Sequence, residues 1–247
     1  MKISILTATR DRADVLGAAL DCLDAQTFTD WEHLIQDGGT DDATANLLAA
    51  HTDPRRTVRR SPDAGVYDAL NTATRRATGE VVGILHSDDV FASADVLQQV
   101  ATAFEDRAVA VVYGDLDYVS RHDPTHVVRR WRSHDFDARR LRRGWMPPHP
   151  TLFVRRSALQ KVGPYDRSFQ ISADYDLMIR LLRSDCGVVR YIPQVLVRMR
   201  RGGLSNGSVR KLFHRSREDL QVLRKNGMGG YGALALKSLR KLPQIHT

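Results

Sequence analysis

VVGILHSDDVF, residues 81–91, passes from five apolar residues into a polar turn that carries two adjacent carboxylates, Asp88 and Asp89. An apolar run of that length with polar flanks is the pattern of a strand buried on both faces. Two like charges side by side at the mouth of such a strand repel each other, so the site calls for a cation.

Outward from this strand, helices and strands alternate. Residues 2–8 (KISILTA) read as a strand and 12–25 as a helix with Val15, Leu16, Ala19, Leu20 and Leu23 on one stripe. WEHLIQ (31–36) is the next strand, and Asp41 or Asp42 opens a helix through Leu47, Leu48 and His51. A short strand at 56–60 is followed by the turn SPDAG and a helix over 66–77, stopped by Gly79. Ser93 caps a helix to 104, and AVAVVYGD (108–115) is a further strand. The pattern predicts an α/β fold, a mostly parallel sheet flanked by helices. Beyond 115 it changes: a hairpin around RHDP, a polar loop over 133–150, a strand TLFVRR, a helix over 174–184 and a strand GVVRYIP. The end of the chain, from 208, reads as two basic amphipathic helices split by NGMGGYG.

Composition narrows the function. With 42% hydrophobic and 27% charged residues the chain can form a real core. No run of about 18 apolar residues occurs, so no transmembrane helix is expected. The N-terminal apolar run turns charged at once and reads as a first strand, not a leader. Two cysteines, Cys22 and Cys186, far apart, give neither a zinc spacing nor a disulfide framework, and a reducing cytoplasm is the default. The net charge of +8 fits nucleic acid, an anionic membrane surface or phosphorylated substrates. Arginine clusters fall late in the chain, in RRWR (129–132), RRLRR (139–143) and RMRR (198–201).

In open α/β sheets, ligands bind beyond the carboxyl ends of the strands. Acids stand there: Asp37 after WEHLIQ, Asp88 and Asp89, and Asp115 and Asp117 after AVVYG. Oxygen ligands select Mg²⁺ or Mn²⁺, with positions left open for substrate phosphates. The competing reading of Asp88 or Asp89 is a turn cap, and DGG after Asp37 is a strong turn signal by itself.

Five segments in order, ISILTATRDR (3–12), DAQTFTDWEHLIQDGGTDDAT (24–44), SPDAGVYDALNTATRRATGEVVGILHSDD (61–89), HPTLFVRRS (149–157) and SADYDLMIRLL (172–182), resemble the family 2 glycosyltransferases, which have the GT-A fold. The likeness spans about residues 2–205; GGLSN (202–206) is similar to a late loop of bacterial members that build surface polysaccharides. It implies a catalytic domain over 1–207, with a nucleotide-sugar-binding half (1–115) and an acceptor-binding half (116–207), and a basic helical tail at 208–247. It points to Thr7, Ala8, Arg10 and Asp37 for the nucleoside; an Asp suits a base N–H, favouring UDP or dTDP. It places Asp68 and Asn71, which share a helix face, at the donor, with Ser87, Asp88 and Asp89 beside them. The metal motif departs from the family pattern, with His86 in its first position; Asp88 becomes the main ligand, with Asp89 supporting it or binding the sugar. The family's Glu-Asp pair reads Ala173-Asp174, which makes Asp174 the candidate general base and implies inversion at the anomeric carbon. Asp174 could equally cap its helix. His149 and Asp176 are weaker acceptor-side candidates. No Q-x-x-R-W follows Asp174, so transfer of a single sugar is expected.

Other classes fit less well. No helix-turn-helix, RNP or zinc pattern supports a nucleic-acid binder, and no G-x-G-x-x-G follows the first strand. The glycine-rich N-terminal loop of a sugar nucleotidyltransferase is missing. His86 and Ala173 leave a catalytically inactive sugar-binding module as the alternative. The tail suits either an interfacial helix on anionic lipid, at the cytoplasmic face near a lipid-linked acceptor, or packing against the sheet domain.

Overall fold

The computed structural model describes residues 1–121, 123, 125–200 and 209–239. GGLSN at 202–206 lies outside them. The first half runs β1 (Ile3–Thr9), α1 (Ala13–Asp24), β2 (Trp31–Asp37), α2 (Asp42–Ala50), β3 (Arg56–Arg60), α3 (Val66–Arg76), β4 (Val81–Ile84), β5 (Asp89–Phe91) and α4 (Val96–Ala103). The second runs β6 (Val109–Val119), β7 (Val127–Trp131), α5 (Ala138–Arg142), β8 (Phe153–Arg155), α6 (Arg156–Val162), α7 (Ala173–Arg183), β9 (Val188–Arg200), α8 (Val209–Lys225) and α9 (Tyr231–Leu239).

The strands form one sheet in the order β3-β2-β1-β4-β8-β6-β9-β5, with β7 paired to β6. β1, β2, β3 and β4 are parallel to one another, and β6 is parallel to β9. β5, β7 and β8 run against their neighbours. The chain travels outward from β1 to β3 and then returns to lay β4 on the other side of β1. That reversal opens a crevice beyond the carboxyl ends of β1 and β4, where such sheets bind ligands.

The sheet is clamped by apolar layers on both faces. Leu70, Ala73, Leu177, Met178 and Leu181 cover one face from α3 and α7. Ala19, Leu23, Val96, Leu97 and Val100 cover the other from α1 and α4. At the centre Gly83 pairs with Phe153. A Cβ at Gly83 would stand 2.4 Å from the Phe153 ring, so glycine admits the ring. A directed relay crosses three strands and ends on the residue after β4. Arg56 Nε donates to His33 Nδ1 (3.1 Å), Thr7 Oγ1 meets His33 Nε2 (2.9 Å), and Thr7 donates to the Leu85 carbonyl (2.6 Å). The Thr7 proton is committed to Leu85, so Nε2 carries the His33 proton.

Three expectations change. β6 does not end at Asp115 but runs on to Val119 against β7. Asp115 and Asp117 therefore lie within a strand. Asp115 accepts from the Ser133 N–H and the Tyr191 hydroxyl, each at 2.8 Å, and Arg132 pairs with both acids. They do not join the acids of the crevice. Residues 133–150 are not an exposed polar loop: Trp145 and Met146 are buried, and the Trp145 indole donates to the Ser133 carbonyl at 2.8 Å. Two large apolar side chains outweigh the polar residues around them. β9 extends past the expected 187–193 because it continues along β5.

In the tail, Val222, Leu223 and Met228 are buried in the same core as α7. Phe213, Tyr231 and Leu236 stay exposed. No helix among the described residues is long and apolar enough to cross a membrane.

Candidate active site

Asp37 ends β2 with no solvent exposure. Its Oδ1 accepts from the Gly39 N–H at 2.8 Å, Arg60 Nε stands 3.5 Å from Oδ2, and Oδ2 has no hydrogen-bond partner among the described residues. A buried carboxylate oxygen that is ion-paired but not hydrogen-bonded, beside an open cleft, is a ready acceptor. The cleft, about 460 Å³, is lined by Arg10, Gly38, Gly39, Thr40, Arg60 and the loop 61–63. Its floor is held by Asp11, which sits in the left-handed region (φ 52°) and accepts from the N–H groups of Thr40 (2.9 Å) and Asp41 (3.1 Å). Those two bonds hold the Asp11 carboxyl below the usual carboxylate range. A Cβ on Gly39 would come within 2.6 Å of Asp11 Oδ1 and 2.9 Å of Asp37 Oδ1, so only glycine lets the two acids meet there.

Beyond β4, the turn from His86 closes with the Asp89 N–H donating to the His86 carbonyl at 3.0 Å. Asp88 is partly exposed and paired with Arg12 at 3.1 Å. Asp89 starts β5 and is turned inward, 1% exposed, with neither carboxylate oxygen hydrogen-bonded among the described residues. Burial and the neighbouring Asp88 push its carboxyl well above the usual range, with Arg200 opposing. Ser87, just before Asp88, is buried.

The other wall comes from the second half of the chain. The rings of His86 and His149 lie 5.9 Å apart. His149 Nε2 shares a 2.9 Å hydrogen bond with the Tyr165 hydroxyl, and Tyr165 stacks on Tyr67 at 5.5 Å. The Tyr67 hydroxyl donates to the Ile171 carbonyl at 2.6 Å and lies 3.4 Å from Asp174 Oδ1. Asp174 sits half-buried in the first turn of α7, where its Oδ1 accepts from the Tyr175 N–H at 2.7 Å. Burial lowers both imidazoles, His149 to about 4, against the opposing pull of Asp174. Both are neutral near pH 7. The same burial raises the hydroxyls of Tyr67 and Tyr165, which stay protonated.

Asp37 stands beside an open cleft, Asp88 and Asp89 follow β4, and Asp174 sits among aromatic rings that reach the His86 end of that turn. The sequence profile of "Glycosyl transferase family 2" matches residues 4–163. The chain belongs to that family. This glycosyltransferase is 36% identical over 215 residues to the "PGL/p-HBAD biosynthesis glycosyltransferase" of Mycobacterium bovis (strain BCG / Pasteur 1173P2), covering 85% of this chain and 81% of the relative. It is 28% identical over 188 residues to the "Uncharacterized glycosyltransferase Rv1514c" of Mycobacterium tuberculosis (strain ATCC 25618 / H37Rv), covering 72% of this chain and 68% of that one. Among solved structures it resembles S. aureus TarS 1-349 in complex with UDP (TM-score 0.70, 14% identity, 98% of this chain and 72% of that one). It also resembles the mannosyltransferase PcManGT from Pyrobaculum calidifontis in complex with GDP-Man and Mn2+ (TM-score 0.67, 19% identity, 98% and 70%). The fold is the GT-A fold.

Of the residues singled out in the sequence, Arg10 lines the cleft and Asp37 stands beside it, Asp88 pairs with Arg12, and His86 and His149 adjoin the aromatic cluster that holds Asp174; Ala8, next to last in β1, has no side-chain hydrogen-bonding group. Four do other work. Thr7 is spent inside the relay. Asn71 is buried, its amide donating to the Tyr165 carbonyl and accepting from the Tyr165 N–H, both at 2.9 Å. Asp68 accepts from the Ala64 N–H at 3.0 Å and pairs with Arg167 at 3.0 Å. Asp176 is fully buried and tied to Arg180 (2.8 Å), Lys225 (3.0 Å) and Asn226 (2.9 Å), so it cannot meet an acceptor. Sequence reasoning missed Asp11, Arg12, Arg60, Tyr67 and Tyr165. For Asp11 and Arg12 the signal was the charged run directly after an apolar strand; the tyrosines carried none.

Proposed function

We propose that this glycosyltransferase moves a single sugar from a nucleotide-diphospho-sugar, with UDP or dTDP favoured, to a hydroxyl of a glycan or lipid-linked acceptor, with inversion, in the assembly of cell-surface glycans. The observation that carries the reading is Asp174, half-buried and 3.4 Å from the hydroxyl of Tyr67, whose ring stacks on Tyr165, which in turn meets His149 beside the His86 ring at the head of the Asp88 turn. In this mechanism the nucleoside enters the Arg10–Asp63 cleft and a base N–H donates to the free Asp37 oxygen. The sugar then lies between Asp88 and Asp174. Asp174 takes the acceptor proton as the new bond forms on the face opposite the departing diphosphate. Tyr67, Tyr165 and His149 narrow the site and exclude water without adding charge.

Mn²⁺ or Mg²⁺ fits the donor set. Asp88 is partly exposed, and Asp89 beside it has two buried oxygens without a side-chain hydrogen bond among the described residues. Among the described residues no cluster of three or more His, Cys, Asp or Glu is built for a metal, so the protein would supply few ligands and the diphosphate the rest. When bound, the ion would neutralise charge on the departing nucleoside diphosphate; Asp88, with Asp89 behind it, would hold it. Arg12 already occupies Asp88 and would share that diphosphate charge.

The exposed Phe213 of α8 and Tyr231 and Leu236 of α9, with Arg224 of α8 over the Tyr231 ring, support docking at an anionic membrane surface, the cytoplasmic face in this reading. Sedimentation with anionic liposomes of the chain and of Phe213→Ser/Tyr231→Ser tests this; equal binding removes it.

Calorimetry with UDP, dTDP and GDP, each with and without Mn²⁺, on wild type and Asp88→Ala, together with donor turnover by Asp174→Asn, tests the function. Binding of one nucleotide that needs Asp88 and Mn²⁺, with turnover lost in Asp174→Asn, is the expected result. Metal-dependent binding without turnover in the wild type would favour an inactive module. No nucleotide binding would overturn the reading.

A further inference from the structure

α7 starts without a cap of its own. Ser172 stands at the cap position, but its hydroxyl turns away and donates to Asp219 of α8 at 2.9 Å. The residue before Asp174 is Ala173, fully buried and with no polar group to anchor it. The anchoring comes from forty-odd residues downstream. Glu218 of α8 accepts from the N–H groups of Gln170 (2.9 Å), Ile171 (2.8 Å) and Ser172 (2.9 Å). Asp219 next to it pairs with Lys237 of α9 at 2.7 Å, and the Lys237 ammonium stands 3.4 Å from the centre of the Tyr175 ring. Glu218, Asp219 and Lys237 are each less than a tenth exposed.

These contacts surround one short piece of backbone. Glu218 holds residues 170–172 from one side, and Tyr67 holds the Ile171 carbonyl from the other. Lys237 covers Tyr175. Asp174 is the residue between these holds. Charge-assisted bonds to three successive N–H groups fix a chain direction more firmly than neutral bonds do. A carboxylate at a helix start also suits the positive end of the helix dipole. The hydrogen bonds of Glu218 and Asp219 go to residues 170–172 and the ammonium of Lys237 to Asp219 and the Tyr175 ring, so their burial has no account in a direct contact with donor or acceptor. It has one in holding the piece that carries the base.

We propose that Glu218 and Asp219, backed by Lys237, are positioning residues for Asp174, which makes the C-terminal helices part of the catalytic apparatus. This rests on the reading of Asp174 as the base. It follows that α8 acts on the reaction through the backbone of 170–174 and not through the donor.

The test uses the full chain with Glu218→Gln, Ser172→Ala and Asp174→Asn. Ser172→Ala removes only the hydroxyl that meets Asp219, and so covers the case in which Glu218→Gln does not fold. Amide hydrogen exchange is read across the chain, UDP affinity by calorimetry, and UDP release from UDP-glucose with water as acceptor. Expected for Glu218→Gln is at least about tenfold faster exchange at 170–174, a kcat lowered about tenfold, and a KM for UDP-glucose and a Kd for UDP within about twofold of wild type. Ser172→Ala moves the same readouts in the same direction by less. Unchanged exchange at 170–174 in both variants overturns the proposal, whatever the turnover. So does a wild-type kcat in Glu218→Gln when Asp174→Asn is inactive. Wild-type turnover in Asp174→Asn instead overturns the reading of Asp174 and leaves Glu218 a structural anchor.

Discussion

Asn71 and Tyr165, 94 residues apart in sequence, bind as if they were paired strands: the amide donates to the tyrosine carbonyl and accepts from its N–H, both at 2.9 Å. Tyr165 in turn carries the hydroxyl that meets His149 and the ring that stacks on Tyr67. One side chain of α3 thereby sets the wall formed by Tyr165, Tyr67 and His149. Asn71→Ala strands two buried backbone groups and is expected to lower stability by about 2–4 kcal/mol. Turnover falls while UDP affinity holds. Urea unfolding and UDP calorimetry on the same variant check both parts.

Asp37→Asn keeps an oxygen for the Gly39 N–H but replaces the other with a donor. A base N–H would then face an N–H, and UDP affinity is expected to drop about 10–100-fold. The preference for UDP over GDP should narrow at the same time. Unchanged UDP binding would refute the placement of a pyrimidine at Asp37.

His33 gives a pH signature for the fold. It is fully buried, and burial with Arg56 beside it lowers its imidazole to about 3. The unfolded chain takes up the proton below its ordinary 6.5, whereas the folded chain refuses it. Its stabilising share is whole above that point and is lost as pH falls toward 3, by at most about 1.4 kcal/mol per pH unit. Unfolding free energies measured from pH 7 to 4 should show this slope in the wild type and a shallower one in His33→Asn.

Gly83→Ala places a methyl 2.4 Å from the Phe153 ring at the centre of the sheet. A loss of about 1–3 kcal/mol is expected, since neither strand has room to yield. Phe153→Leu in the same chain should restore part of it, and thermal unfolding of the double variant decides the point.

The front half of the fold was legible because its apolar runs and turn residues agree locally. The DGG after β2 and the HSDD after β4 mark the two ends of the crevice by chemistry alone. What stayed hidden depends on distant partners. Asn71 and Asp68 share a helix face as expected, yet one is consumed by Tyr165 and the other by Ala64 and Arg167. Asp176 looks like a neighbour of Asp174, but a helix turns it into the core, where Arg180 and Lys225 hold it. Trp145 and Met146 show the same limit: a segment rich in arginine is drawn inward by two side chains whose receiving surface belongs to other elements.

The relay from Arg56 through His33 and Thr7 to Leu85 has one proton direction and no spare partner. It locks β3, β2 and β1 to the residue after β4, and neither the loop 38–41 nor the loop 61–65 takes part in it. The first of those loops hangs instead on Asp11, Asp37 and Arg60, so the two form an exchangeable cartridge only if these three anchors stay in place. Grafting both together from a glycosyltransferase with another nucleotide preference should transfer that preference while the sheet beneath keeps its register.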